Sequence, residues 1–241
     1  ITASSLIYQR LLDWGVEEKK ISLIPIGVDT NLFSISNEKF KSQIRSELGF
    51  EKDEFVIGSF QKDGIGWDKG EKPKYIKGPD LFVKTIELIA KELKIAVLLT
   101  GPARGYVKRE LSKRNIKFKH IYIDSYEEIS KYYQSLDLYI VSSREEGGPK
   151  AIVESMASGI PIVTTNVGMA RDFVVNNHNG TIIEDFNPKN IAQKSIEVLL
   201  DPNKERKIIN ARKDVMRADW NNISKLLFNE VYLPALNELE N

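Results

Sequence analysis

Short apolar runs rich in β-branched residues recur along most of the chain, and the stretches between them carry apolar positions at helical spacing. The runs fall at 55–60, 95–101, 120–123, 138–142, 160–165 and 181–184, each short enough and sharply enough bounded to be a strand. Between them, 79–93 places Leu81, Phe82, Thr85, Leu88 and Ile89 on one helical face, and 106–114, 127–136, 149–158 and 188–200 follow the same pattern. Pro79, Pro149 and Pro188 each suit a first helical position, where the missing N–H costs little. Strands apolar along both faces, alternating with helices of this length, predict right-handed βαβ units and a parallel sheet covered on both sides. The fold class expected is α/β, a Rossmann-like doubly wound parallel sheet.

The ends break from this rhythm. Residues 1–24 predict a helix over 5–14 and a short strand over 21–24, followed by the turn-forming stretch Pro25-Ile26-Gly27-Val28-Asp29, a candidate hinge. At the other end, 204–217 and 221–239 predict amphipathic helices. Leu226, Leu227, Val231, Leu236 and Leu239 give the last one an apolar stripe, which Pro234 must kink or split. Residues 63–76 show little periodicity and carry glycines, lysines and Trp67, expected to be exposed; inside a compact domain such a stretch predicts a functional flap or a mobile insert.

Composition narrows the function classes. Thirty-five Lys and Arg balance 34 Asp and Glu over 241 residues, so the basic excess of a nucleic-acid binder is missing. The 41% hydrophobic and 29% charged content is that of a globular domain. There is no cysteine, which excludes disulfides, thiol nucleophiles and zinc–thiolate sites. The apolar runs are far too short to span a bilayer, no signal peptide is read, and the start at Ile1 suggests a piece of something longer.

The densest chemistry lies in Arg144-Glu145-Glu146-Gly147-Gly148-Pro149-Lys150-Ala151-Ile152-Val153-Glu154. A strand end, a Gly-Gly turn and a helix start at the carboxyl edge of a parallel sheet form an anion site, because first-turn N–H groups point outward and the helix dipole adds positive character. Glycines let a ligand approach the backbone closely. Glu146 and Glu154 bracket this turn and suit a ligand that carries both a phosphate and many hydroxyls. On spacing alone, a capped helix with solvated acids fits equally well, and Glu145 suits it.

Glu146-x7-Glu154, continued by Ser155-Met156-Ala157-Ser158-Gly159-Ile160-Pro161-Ile162-Val163, resembles the paired-glutamate signature of the group 1 (family 4) retaining glycosyltransferases. Ile24-Pro25-Ile26-Gly27-Val28-Asp29 resembles that family's interdomain linker, and Lys77-Gly78-Pro79-Asp80 the start of its first donor-domain helix. Tyr126-Glu127-Glu128-Ile129, Asp137-Leu138-Tyr139-Ile140-Val141-Ser142-Ser143, Gly168 and Asn179-Gly180 continue the likeness over roughly residues 1–230. The resemblance implies the C-terminal half of a GT-B fold, a pair of Rossmann-like domains with the reaction in the cleft between them. Residues 1–30 would be the tail of the N-terminal acceptor domain with the linker, 31–218 the nucleotide-sugar donor domain, and 219–241 a helix crossing back to the missing domain.

The same resemblance implies roles. Glu146 would hold the transferred sugar near its anomeric carbon, and Lys77 the diphosphate. Glu154 would accept the ribose hydroxyls. The amides of Gly147, Gly148 and Lys150 would face sugar and diphosphate, and the backbone around Tyr126 the base. The donor would be a UDP or GDP hexose, with no cofactor and no metal, since no D-x-D occurs. The acceptor would be a glycan, a lipid-linked glycan or a small molecule. No nucleic acid is expected as partner; the implied location is cytoplasmic, with peripheral membrane contact left open.

This chain departs from the family twice. Gly58-Ser59 stands where the family has Gly-Arg, so a guanidinium fork is lost, with Lys62 and Lys150 as candidate replacements. The 63–76 stretch lengthens the path to Lys77. A catalytically inactive nucleotide-sugar-binding module and a GT-B sugar-nucleotide epimerase are the alternatives; a dehydrogenase is disfavoured because no G-x-G-x-x-G follows the first strand. Elsewhere, His120, His178, Tyr132, Tyr133 and Tyr139 read as structural. Arg104 and Lys108 stand where they could reach a nucleotide but read first as surface charge, the lysine-rich stretch 69–77, Lys77 apart, reads as a solvated loop, and Ser142 and Ser143 lack a base to activate them.

Overall fold

The computed structural model describes residues 1–66 and 68–239. Trp67, Glu240, Asn241 and the side chains of Glu238 and Leu239 lie outside what is described. In chain order the elements are α1 (Ser5–Asp13), α2 (Glu38–Leu48), β1 (Phe55–Phe60), α3 (Pro79–Ile89), β2 (Ile95–Thr100), α4 (Gly105–Lys113), β3 (Phe118–Ile121), α5 (Ile129–Tyr133), β4 (Leu138–Val141), α6 (Lys150–Ala157), β5 (Ile162–Thr165), α7 (Ala170–Phe173), β6 (Thr181–Ile183), α8 (Pro188–Leu199), α9 (Lys204–Val215), α10 (Trp220–Leu227) and α11 (Leu233–Leu239).

The strands form a single six-stranded sheet in the order β3-β2-β1-β4-β5-β6, parallel at every pairing. Alternation along each strand divides the core. Val56, Phe60, Leu98, Tyr139 and Val141 pack on one face with Tyr133 of α5, Met156 of α6 and Val215 of α9. Ile57, Val97, Leu99, Leu138 and Ile140 pack on the other with Phe82 and Ile86 of α3, Leu111 of α4 and Ile191 of α8. A sheet buried on both faces accounts for the near-continuous apolar runs. The order reverses between β1 and β4, which sets the switch point, and the cleft expected at a switch point, at their carboxyl ends.

Several elements differ from the sequence-based expectation. The strand expected over 21–24 is reduced to a single bridge between Thr2 and Leu23. β3 begins two residues early, and β5 two residues late. Helix α2 was not anticipated, although Phe40, Ile44 and Leu48 recur at helical spacing, Asn37 caps the amide of Phe40 and Gly49 closes the helix in the left-handed region. Pro149 is the N-cap of α6 rather than its first residue, whereas Pro79 and Pro188 do open their helices. The last helix is not broken at Pro234: α10 continues through a π-helical turn over Phe228–Tyr232 into α11, so the missing N–H of Pro234 falls just beyond that irregular turn.

Residues 63–66 and 68–76 are tied down rather than loose. Gly64 bridges Pro73, Lys72 O accepts the Ile65 amide at 2.9 Å, and Asp63 O accepts the Lys74 amide at 2.7 Å. The N-terminal stretch is equally docked. Val28 and Trp220 exchange backbone contacts with Ala218 and Val28 at 2.9 and 3.1 Å, and the Thr30 hydroxyl donates to Asp219 at 2.6 Å. No helix among the described residues is long and apolar enough to cross a membrane.

Candidate functional site

A cleft of about 430 Å³ opens at the carboxyl ends of β1 and β4. Phe60, Gln61 and Lys62 form one wall, Lys74 and Lys77 the second, and Glu146, Gly148, Pro149, Lys150, Ala151 and Glu154 the third, with Tyr126 at the side. The first turn of α6 faces this space, so its outward N–H groups and the helix dipole favour an anion there.

Lys77 ends a 3₁₀ turn, and Gly78 follows in the left-handed region at φ 63°. A side chain at position 78 would meet Ser142 O at 1.8 Å, so only glycine lets the backbone pass that close to the end of β4. This turn delivers Lys77 to the α6 loop, where its Nζ lies 2.5 Å from both carboxylate oxygens of Glu146. Ser143 Oγ donates to the same carboxylate at 2.8 Å. Behind them, Arg144 grips Asp80 with both amino groups, at 2.8 and 2.7 Å, and its amide donates to Ile76 O. The two loops are thereby stapled together.

Glu154 is 4% exposed and accepts from two phenols. Tyr133 donates to Oε2 at 2.9 Å and Tyr126 to Oε1 in a short contact. Burial, followed by the adjacent Glu154 charge, raises both phenols above their ordinary value, so both stay protonated donors. The Lys150 ammonium sits 4.1 Å over the Tyr126 ring and 3.8 Å from Glu154. Tyr126 also lines a neighbouring hollow of about 350 Å³ with Phe60, Gln61, Lys62, Thr100, Gly101, Pro102, Tyr122 and Ile123. The two hollows share Phe60, Gln61, Lys62 and Tyr126.

Of the residues singled out from sequence, Glu146, Lys77, Glu154, Gly148, Lys150, Lys62 and Tyr126 all line this cleft. Gly147 is exposed, with open space where a Cβ would stand, whereas the same position on Gly148 is closed by Ala3 and Ile26. Ser59 is not in the wall: it is 1% exposed and its Oγ accepts from Arg104 at 3.1 Å. Arg104 is correspondingly not surface charge, because its side chain is fully buried. Gln61, Lys74 and Tyr133 were missed as site residues. Tyr133 had a signal, since it stands seven residues, about two helical turns, after Tyr126. His120 is structural: it contacts Gly101 O at 2.8 Å, and burial holds it below its ordinary pKa. No group of three His, Asp or Glu placed to hold a metal occurs among the described residues.

The model of the family described as "Glycosyl transferases group 1" matches residues 70–215. The chain is 24% identical over 92% of its length to the D-inositol 3-phosphate glycosyltransferase of Xylanimonas cellulosilytica, of which it covers 53%. It shares its fold with sucrose-phosphate synthase from Thermosynechococcus elongatus, with a TM-score of 0.80 at 19% identity, covering 98% of this chain and 58% of that one. Anabaena HepE, solved with UDP and glucose, superposes with a TM-score of 0.80 at 21% identity, over 96% of this chain and 62% of that one. The chain thus spans between half and two thirds of the length of these relatives.

Proposed function

Since the chain belongs to the glycosyl transferases of group 1, we propose that it is the donor-binding part of an enzyme that moves a hexose from a UDP or GDP sugar to an acceptor hydroxyl, with retention of anomeric configuration. The observation that carries this reading is the paired geometry of the cleft. Lys77 with Glu146 stands on one side of the α6 N-terminus, and Glu154 with its phenols on the other.

In that reading the nucleoside lies in the hollow beside Tyr126 and the diphosphate crosses the first turn of α6. Lys77 releases Glu146 to the hydroxyls of the sugar and turns to the phosphate. As the bond between the anomeric carbon and the phosphate oxygen breaks, its electron pair stays with the diphosphate, and that oxygen takes the proton that the acceptor hydroxyl gives up. Lys77, Lys62, Lys150 and the helix dipole stabilise that charge, while the acceptor hydroxyl attacks from the same face. Glu154 exchanges the Tyr126 phenol for the ribose hydroxyls. Residues 1–30 and 219–241 would serve a preceding acceptor domain. Trp220, Phe228, Tyr232, Leu233 and Leu236 leave an exposed apolar stripe of the kind a partner domain covers.

Thermal unfolding with UDP, GDP, ADP and their sugar conjugates tests the reading. A ligand present at 100 times its dissociation constant adds about 2.7 kcal/mol to stability. Stabilisation by UDP or GDP that is lost in Glu154→Gln supports a donor site; stabilisation by none, or one indifferent to Glu154, refutes it.

A further inference from the structure

Directly behind the cleft, Arg104 and Asp63 form an ion pair 3.1 Å apart with both side chains 0% exposed. The guanidinium is spent on the ends of two strands. Its Nη1 donates to the carbonyls of Ser59 at 2.6 Å, Gln61 at 3.0 Å and Thr100 at 2.9 Å, and Nη2 to Ser59 Oγ at 3.1 Å. Neither Arg104 nor Asp63 lines the cleft, but the residue between their attachment points does: Lys62 is held on one side through Gln61 O and on the other through Asp63.

The same contacts reach Lys77. Asp63 O accepts the Lys74 amide at 2.7 Å, and Gln61 Nε2 donates to Lys77 O at 3.2 Å. Beyond Arg104, the first amides of α4 are capped by the same stretch, Gly105 by Lys69 O at 2.7 Å and Tyr106 by Gly70 O at 2.9 Å. Ala103, just before Arg104, holds a left-handed φ of 55°. A buried ion pair adds little net stability over apolar residues of the same size, so its contribution here is geometric.

We propose that Arg104 and Asp63 are positioning residues of the donor site, fixing Lys62 and Lys77 at the place where a diphosphate binds without touching the ligand themselves. The proposal rests on the donor-site reading above. It assigns the long 63–76 stretch a role as the scaffold that carries Lys77, locked by one guanidinium.

The test compares UDP with UMP and GDP with GMP by calorimetry on this chain, in wild type, Arg104→Lys and the double variant Arg104→Met/Asp63→Leu. Lysine keeps the charge but lacks the planar fork of donors. The double variant removes the pair without leaving a buried charge unpaired. The expected result is a fall of at least tenfold in the diphosphate-to-monophosphate affinity ratio in both variants, including where the melting temperature of the double variant stays at the wild-type value. A ratio unchanged in either folded variant overturns the proposal, whatever happens to stability. If wild type binds neither UDP nor GDP, the donor-site reading fails, and amide exchange judges the scaffold separately. Arg104→Lys should then speed exchange at Ile65, Lys74 and Lys77 at least tenfold with β4 and β5 unchanged, and unchanged exchange at those three amides overturns the scaffold.

Discussion

Glu154 shows what the fold must supply to a single buried carboxylate. A buried acid left without donors would cost several kcal/mol, and two protonated phenols prevent that cost. Tyr133, wholly buried, is the permanent partner; Tyr126, 47% exposed, is the exchangeable one. In the proposed reading, Tyr126→Phe removes the hydroxyl that competes with a ribose for Oε1. Its expected effect is tighter UDP or GDP binding, several-fold and up to about tenfold, read by calorimetry. A loss of affinity would mean instead that Tyr126 stays in place and contacts the ribose. Tyr133→Phe should leave Oε2 short of a donor and lower the melting temperature without that gain.

At the scale of elements, two connections decide whether the site is assembled. Gly78 lets the turn after Lys77 pass beside the end of β4. Gly78→Ala should cost more than about 1 kcal/mol in thermal unfolding, through a disfavoured φ and the clash with Ser142 O, and should weaken nucleotide binding beyond that loss. The second connection lies at the opposite edge of the sheet, where Asp137 accepts the Val56 amide at 2.8 Å and pairs with Lys41 at 2.9 Å and Arg45 at 2.6 Å, fastening α2 to β1. Burial alone would raise the Asp137 carboxyl, but Lys41, Arg45 and the amide hold it below its ordinary 3.8. A carboxylate lowered in the folded state contributes stability above pH 3.8 and gives it up as pH falls through the folded value. Asp137→Asn should therefore lower stability near neutral pH by about 3 kcal/mol and flatten the acid limb of the wild-type stability curve, followed by denaturant unfolding from pH 7 to pH 2.

For the whole molecule, one sheet orients everything the proposed reaction needs on one side. The order β3-β2-β1-β4-β5-β6 puts the switch point, the α6 N-terminus and Lys62, Lys74 and Lys77 on the same carboxyl edge. This chain covers 53% of the Xylanimonas relative, and in the proposed reading the groups of the cleft all serve a donor. The expectation is that it binds UDP or GDP yet releases little nucleotide diphosphate from a UDP or GDP sugar, with turnover restored when the preceding domain is present. A nucleotide-release assay on the two forms measures this, and equal turnover in both would count against the acceptor-domain assignment.

Strand identity and order of elements were legible in the sequence because a sheet buried on both faces needs long apolar runs, and β1 was found to the residue. The Glu146-x7-Glu154 spacing was legible too, since it is written into one loop and the helix after it. Helix α2 was passed over although Phe40, Ile44 and Leu48 carry its period, and 63–76 was read as a flap because its hydrogen bonds run to α4 and to Arg144 and Glu145 after β4, remote in sequence. Tertiary structure alone decided that Lys77 meets Glu146 across 69 residues, that Tyr126 and Tyr133 share Glu154, and that Arg104 comes to Ser59 from 45 residues away. Periodicity reports which face of an element is covered, not which distant loop covers it. A buried arginine and a solvated one look alike until the chain has folded around them.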